Sequence, residues 1–89
     1  MEFYTLASSS AGNAALVCHE NTHILIDAGI SCRRITQSLA ALSLTLDDLD
    51  GILITHEHSD HVAGLPMLLK YYKNVKVYAP QTVAHALER

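Results

Sequence analysis

The residues with the clearest capacity for chemistry form one short segment, His56-Glu57-His58-Ser59-Asp60-His61. Its three imidazoles and one aspartate carboxylate are the nitrogen and oxygen donors that zinc and similar divalent cations prefer. One such residue would be explained by a polar loop or a helix cap. Four of them within six positions are not explained so easily. The segment therefore predicts a metal site. Its expected ligands are His56, His58, Asp60 and His61.

The spacing of these donors limits how they can share an ion. His56 and His58 lie two residues apart, so in extended backbone their side chains project from the same side and can reach one ion. Asp60 and His61 are adjacent, and a turn at Ser59 would direct them toward a second ion. The HExxH pattern of helical metalloproteases is absent, because His61 follows His56 at a spacing of five.

Two apolar strands are predicted to position this segment. Residues 51–55 form a β-branched apolar run that ends where the ligands begin, and a helix is expected over residues 62–72. A second apolar strand, residues 23–27, ends at Asp27 and is followed by Ala28-Gly29. Aspartate before small residues is an ordinary turn former. Its carboxylate can also accept hydrogen bonds from the metal loop, and both interpretations stay open at this point.

The remaining pattern predicts a mixed α/β chain. Strands at residues 2–7, 14–19 and 23–27 would form an antiparallel meander with short turns. A helix capped by Ser31 would run to about Leu42, because apolar residues recur there on one face. Together with the strand at 51–55 this makes a β-α-β unit. A strand at 75–79 and a helix opened by Pro80 would complete the fold.

The ligand segment resembles the HxHxDH signature of the metallo-β-lactamase fold superfamily. Residues 24–29, Ile-Leu-Ile-Asp-Ala-Gly, are similar to the strand-Asp-x-Gly element that precedes the metal motif in that family. Residues 8–13, Ser-Ser-Ser-Ala-Gly-Asn, resemble the first hairpin of its nuclease-like and phosphodiesterase-like branch. The resemblance implies the N-terminal half of an αββα sandwich. Residues 1–89 would be a single partial domain of this fold.

The resemblance also implies a metal-dependent hydrolase of phosphodiesterase or nuclease type. In such a site two zinc ions, or manganese or iron, hold a hydroxide that attacks phosphorus or a carbonyl carbon. His56 and His58 would hold the first ion, while Asp60 and His61 would hold the second. Asp60 would also orient the hydroxide and accept its proton, which makes it the expected catalytic residue.

The same resemblance implies supporting roles for four further residues, Asp27, Ser8, Ser9 and Asn13. Asp27 would fix the orientation of the metal ligands without binding the metal itself. The hydroxyls and amides of Ser8, Ser9 and Asn13 would hold a substrate phosphate, although the same residues are equally suited to a plain hairpin turn.

The chain carries few donors for a complete dinuclear site. After His61 the sequence has one further histidine, His85, and no aspartate. His85 falls in the last predicted helix and is not expected to be a ligand. Two protein donors per ion fall short of the usual three or four, so we expect the 89 residues alone to bind metal weakly and to turn over little. The leading hypothesis is therefore a part of a longer metallohydrolase.

Two alternatives remain open from the sequence. The four donors could converge on one ion in a non-catalytic metal-binding module. The chain could instead be a structural fragment that dimerises through an exposed apolar sheet face.

Composition bounds the partners and the location. Hydrophobic residues make up 49% and charged residues 17%, so an apolar face is expected to be covered by a missing C-terminal half or by a homodimer partner. The net charge of −3 gives no basic footprint for nucleic acid, although bound metals could still hold a phosphodiester or nucleic-acid substrate.

The cysteines, Cys18 and Cys32, lack metal-ligand spacing and suit a reducing cytoplasm. No membrane association is expected.

Overall fold

The structure, a computed structural model, describes residues 1–9, 12–56, 59–71 and 75–80, without the side chains of residues 59 and 60. The strands in this part of the chain are β1 (Glu2–Ser9), β2 (Gly12–His19), β3 (Thr22–Ile26), β4 (Gly51–Leu53) and β5 (Val77–Tyr78). The helices are α1 (Cys32–Ala41), α2 (Ser59–Val62) and α3 (Leu65–Tyr71), with a 3-10 turn at Leu46–Asp48. None of the described helices is long and apolar enough to cross a membrane.

The strands pair in chain order as one sheet, β1-β2-β3-β4-β5. The first three form the predicted antiparallel meander, and β3, β4 and β5 run parallel to one another. A parallel neighbour requires a crossover, and α1 provides it between β3 and β4. The mixed α/β class and the central β-α-β unit are thus confirmed.

One face of the sheet carries the hydrophobic core. In β2 the buried residues alternate with half-buried ones, which is the period expected of a strand covered on one side. Helix α1 begins at the cap residue Ser31, whose Oγ accepts a hydrogen bond from the Arg34 N–H at 3.2 Å. Its apolar stripe, Ile35 and Leu39, is fully buried. The large side chains that are fully buried in this core are Leu16, Leu25, Ile35, Leu39, Ile52, Ile54 and Leu68.

The opposite face of the sheet, called the open face below, is also apolar. The strand register aligns Phe3 with Val17 and then with Ile24, and it aligns Leu53 with Tyr78. Phe3 is 63% exposed, Leu53 37% and Tyr78 53%. Burial of apolar surface contributes a favourable free energy of about 25 cal/mol for each Å² removed from water, so the open face favours contact with another apolar surface.

The chain from Ser59 onward differs from the single helix predicted over residues 62–72. Helix α2 begins at Ser59, and the chain turns at Ala63 and Gly64 before α3 begins at Leu65. The break has a cause in tertiary structure, because the Gly64 N–H donates to the carbonyl of Ala28 at 2.7 Å instead of continuing α2.

The two ends of the described chain also differ in detail from expectation. The predicted turn over residues 8–13 is shorter, because pairing continues to Ser9 opposite Gly12. The strand expected at 75–79 is paired only at Val77 and Tyr78. The helix predicted after Pro80 lies outside the described residues.

Gly64 is expected to be intolerant of any side chain. A β-carbon there would overlap the carbonyl oxygen of Ile30 and approach the Ala28 carbonyl oxygen to 3.3 Å. Both are backbone atoms of the loop after β3, so neither can rotate away. We expect Gly64→Ala to lower the free energy of unfolding by about 1–3 kcal/mol, measured by urea denaturation.

Gly51→Ala is the matched control for this prediction. The nearest atom to a β-carbon at Gly51 belongs to the Tyr78 ring at 3.2 Å, and this exposed side chain can move. Its cost should stay below about 1 kcal/mol. Equal losses at the two glycines would contradict a specific contact between Gly64 and the loop after β3.

Candidate metal centre

The carboxyl ends of β3 and β4 lie side by side and place polar residues at one edge of the sheet. Asp27 follows β3, and Thr55 and His56 follow β4 after one more buried residue. The Asp27 N–H donates to the carbonyl of Leu53 at 2.7 Å, which holds the two strand ends together. Ligand and catalytic sites commonly lie at this edge of parallel sheets.

The backbone at Asp27 turns sharply to make this edge. Its φ of 63° lies in the left-handed region, which aspartate tolerates better than most residues other than glycine. The next N–H groups then bind two other elements. Ala28 donates to the carbonyl of His61 at 2.7 Å, and Gly29 donates to the carbonyl of Asn13 at 2.8 Å. The turn therefore joins β3 to α2 and to the β1-β2 hairpin.

The carboxylate of Asp27 is the centre of the hydrogen-bond network. Asp27 is 6% exposed, and in the described part of the chain it is the one buried residue with a charged or polar side chain. Oδ1 accepts the Thr55 backbone N–H at 2.7 Å. Oδ2 accepts the Thr55 hydroxyl at 2.7 Å and lies 2.8 Å from Nδ1 of His61. Three partners compensate the desolvation of this buried charge.

Two histidine rings meet in front of this carboxylate. The ring centroids of His56 and His61 are 4.5 Å apart and the rings are inclined by 47°. One potential ligand atom from each of Asp27, His56 and His61 lies within 4.8 Å of the other two. His56 is exposed and His61 is half-buried, so the group opens to solvent on one side.

The two histidines of this group, with Asp27 behind them as the hydrogen-bond partner of His61, fit a divalent cation of the zinc type. Donor atoms bound about 2.0–2.1 Å from zinc lie roughly 3.4 Å from one another in a tetrahedral shell. The nearest ligand atoms of the two imidazoles lie within 4.8 Å of each other. Neutral imidazole and carboxylate are also the right ligand types for zinc, manganese or iron.

The structure brings together only some of the predicted site residues. His56 and His61 lie adjacent, with Asp27 behind them. His58 lies outside the described residues, and for Asp60 only the backbone, in α2, is described. The predicted division of His56 and His58 from Asp60 and His61 between two ions therefore stays a prediction.

Two features of this centre go beyond the leading prediction. The resemblance assigns His56 and His61 to different ions, and their spacing of five suits neither one strand face nor one helix face, so it does not predict that their rings meet. His61 lies in α2, and the position of this helix beside the end of β4 brings its ring next to that of His56. The sequence pattern also assigns no role to Thr55, whose hydroxyl lies 2.9 Å from Nδ1 of His56. The signal for it in the sequence is its position between the apolar strand and the first histidine of the motif.

The hairpin residues suggested for phosphate binding lie on paired strand ends. Ser8 pairs with Asn13 in the β1-β2 register. The Ser9 hydroxyl donates to the carbonyl of Gly12 at 3.4 Å, and the Asn13 amide donates to the carbonyl of Ser9 at 3.0 Å. Through the bond from Gly29 to Asn13, the hairpin end is attached to the turn at Asp27. A contact between Ser8, Ser9 or Asn13 and substrate stays a prediction.

Comparison with known proteins places this geometry in a family. The sequence model of the metallo-beta-lactamase superfamily matches residues 9–89. The chain belongs to that superfamily. Its fold agrees, since Rm3 metallo-beta-lactamase superposes with a TM-score of 0.80 at 31% identity, over 96% of this chain and 32% of that one.

Two bacterial relatives carry nuclease names. The exodeoxyribonuclease WalJ of Streptococcus pneumoniae serotype 2 (strain D39 / NCTC 7466) is 40% identical over 98% of this chain and 32% of its own length. The exodeoxyribonuclease YycJ of Bacillus anthracis is 39% identical over 99% of this chain and 33% of its own. The chain thus spans about a third of the length of these members of the metallo-beta-lactamase superfamily.

Proposed function

We propose that this chain provides the metal-binding N-terminal segment of a metal-dependent hydrolase that cleaves phosphodiesters, with DNA as the first substrate class to test. The observation that carries the proposal is the cluster of Asp27, His56 and His61 at adjacent strand ends. Membership of the metallo-beta-lactamase superfamily and the nuclease names of two relatives support it.

The residues of the chain take distinct roles in this proposal. His56, His58, Asp60 and His61 hold divalent cations, with zinc as the default and manganese or iron as substitutes. A bound cation of this kind acts as a Lewis acid that activates water and stabilises charge on the phosphate oxygens. Asp60 orients the attacking water and accepts its proton. Asp27 holds the His61 ring in place through the bond from Nδ1 to Oδ2.

The proposal assigns catalysis to a longer protein and not to the 89 residues alone. With two protein donors for each of two ions, the predicted ligands leave each coordination shell incomplete. The relatives have about twice as much additional chain, which offers room for further ligands and for substrate contacts. We assign the open face to the same additional segment, because Phe3, Leu53 and Tyr78 present apolar surface to it.

The function is tested with end-labelled double- and single-stranded DNA in the presence of zinc or manganese. The chain alone and the longest protein that its open reading frame encodes are assayed in parallel. Release of nucleotides by the longer protein, abolished by Asp60→Ala and by chelation, is expected, with no turnover by the chain alone. Hydrolysis of a thioester in place of DNA would contradict the phosphodiester assignment. Metal binding without turnover in any form would favour a non-catalytic metal-binding module.

Self-association of the isolated chain tests whether the open face favours an apolar partner. When no further segment covers Leu53, a second copy of the chain can cover it, so we expect a dimer at high protein concentration in sedimentation equilibrium. Leu53→Lys should shift the equilibrium toward monomer by at least about tenfold, since one buried leucine contributes about 1.5–3 kcal/mol. Met67→Lys is the matched control, because Met67 is a similarly exposed residue (46%) on α3. A wild-type monomer at every concentration, or equal effects of the two changes, would contradict the assignment.

The cysteines are consistent with the cytoplasmic location that we propose. Both are free thiols, Cys18 buried and Cys32 half-buried, and burial raises the pKa of each. Protonated, shielded thiols of this kind are the usual state in a reducing compartment.

A further inference from the structure

The hydroxyl of Thr55 lies between the buried carboxylate and the first histidine of the motif. Its Oγ1 is 2.7 Å from Oδ2 of Asp27 and 2.9 Å from Nδ1 of His56. The Thr55 backbone N–H also donates to Oδ1 of Asp27 at 2.7 Å, so this residue is fixed to the carboxylate at two points. The rotamer of a β-branched side chain is restricted as well. The hydroxyl is thus held in one place relative to the His56 ring.

Counting protons fixes the direction of each hydrogen bond. An ionised carboxylate only accepts, so the single hydroxyl hydrogen of Thr55 is donated to Asp27. The oxygen of Thr55 is then an acceptor toward His56, and Nδ1 of His56 must carry a hydrogen. The same reasoning applies directly to His61, whose Nδ1 faces Oδ2 of Asp27 at 2.8 Å. Both neutral rings are therefore Nδ1–H tautomers, with the lone pair on Nε2.

We propose that Thr55 is a positioning residue that transmits the charge of Asp27 to His56 and sets its tautomer, so that Nε2 is the metal-binding nitrogen. One buried carboxylate then orients two ligands, His61 by direct contact and His56 through the hydroxyl. This proposal rests on the proposed metal function and deepens it. A hydrogen bond to the nitrogen that does not bind metal fixes the ring and raises the basicity of the ligand.

The structure offers a pair of substitutions that isolates the hydroxyl. Thr55→Val keeps the approximate shape of the side chain and the backbone bond to Asp27, and it removes the contacts of the hydroxyl with Oδ2 of Asp27 and with Nδ1 of His56. Thr55→Ser restores the hydroxyl. Because His61 contacts Asp27 directly, its tautomer should not respond to either change, which separates a positioning effect from general unfolding.

The test combines two measurements on the purified chain. The imidazole ¹⁵N shifts of the metal-free chain at pH 8 report the tautomer of each ring, and competition with a chromogenic chelator reports zinc affinity. In the wild type and in Thr55→Ser, both His56 and His61 should be Nδ1–H tautomers. In Thr55→Val, His56 alone should become a mixture of tautomers, and zinc affinity should fall about tenfold.

Three results would overturn the proposal. The first is an Nε2–H tautomer at His56 in the wild type, and the second is unchanged tautomer and affinity in Thr55→Val. The third is an equal change at His56 and His61 in that variant, which would show a general loss of structure. The metal function and the role of Thr55 can fail separately. If the chain binds no zinc, but His56 is an Nδ1–H tautomer only when residue 55 has a hydroxyl, the metal function is contradicted and the positioning role of Thr55 is still supported.

Discussion

Replacing His61 by alanine is expected to lower the zinc affinity of the chain by more than about 100-fold. The ring lies against His56 with centroids 4.5 Å apart and is oriented by Asp27, so its loss removes an oriented donor from the centre of the cluster. Changes to residues that only support a ligand already cost about 10–100-fold in affinity, and loss of the ligand itself should exceed them. Chelator competition measures the affinity, and circular dichroism checks that the variant is folded.

His19→Ala is the matched control for this prediction. His19 is an exposed histidine at the far end of β2, paired with Thr22 at the opposite end of β3 from Asp27. Its removal should leave zinc affinity unchanged. If both variants lost zinc equally, binding would belong to scattered surface histidines and not to the cluster.

Replacing Asp27 is expected to separate stability from metal binding. Asp27→Ala leaves the Thr55 N–H and the Nδ1–H of His61 facing an apolar gap, which should lower the free energy of unfolding by about 2–5 kcal/mol. Asp27→Asn keeps the side-chain shape and suits the left-handed φ of 63°, so the loss should be only about 1–2 kcal/mol. Both variants should bind zinc about 10–100-fold more weakly, because the rings lose their orienting carboxylate.

Urea denaturation and chelator competition on the same protein samples measure the two effects. The asparagine variant is decisive, because it should remain folded while its metal affinity falls. Wild-type zinc affinity in Asp27→Asn would show that the carboxylate serves only the fold.

The sheet could be predicted from the sequence because its pattern is local. Alternation in β2 and the apolar runs before Asp27 and before His56 are features of consecutive residues. The break at Gly64 could not be predicted in this way. It depends on a bond from Gly64 to the Ala28 carbonyl, which joins residues distant in sequence.

The same distinction applies to the candidate site. The types of donor were visible in the HxHxDH segment, and Asp27 stood out at the end of its strand. The contact between the rings of His56 and His61 depends on the position of α2 beside the end of β4, and the role of Thr55 depends on a carboxylate at the end of another strand. Spacing along one segment cannot reveal either contact.

Elemental analysis shows whether the histidine cluster is a metal site. The chain is dialysed to equilibrium against zinc, and its zinc content above that of the dialysate is determined beside His58→Ala. We expect about one to two zinc ions per wild-type chain and a marked loss in the variant. Absence of bound zinc from both proteins would contradict the metal assignment and show that this chain has no competent metal site of its own.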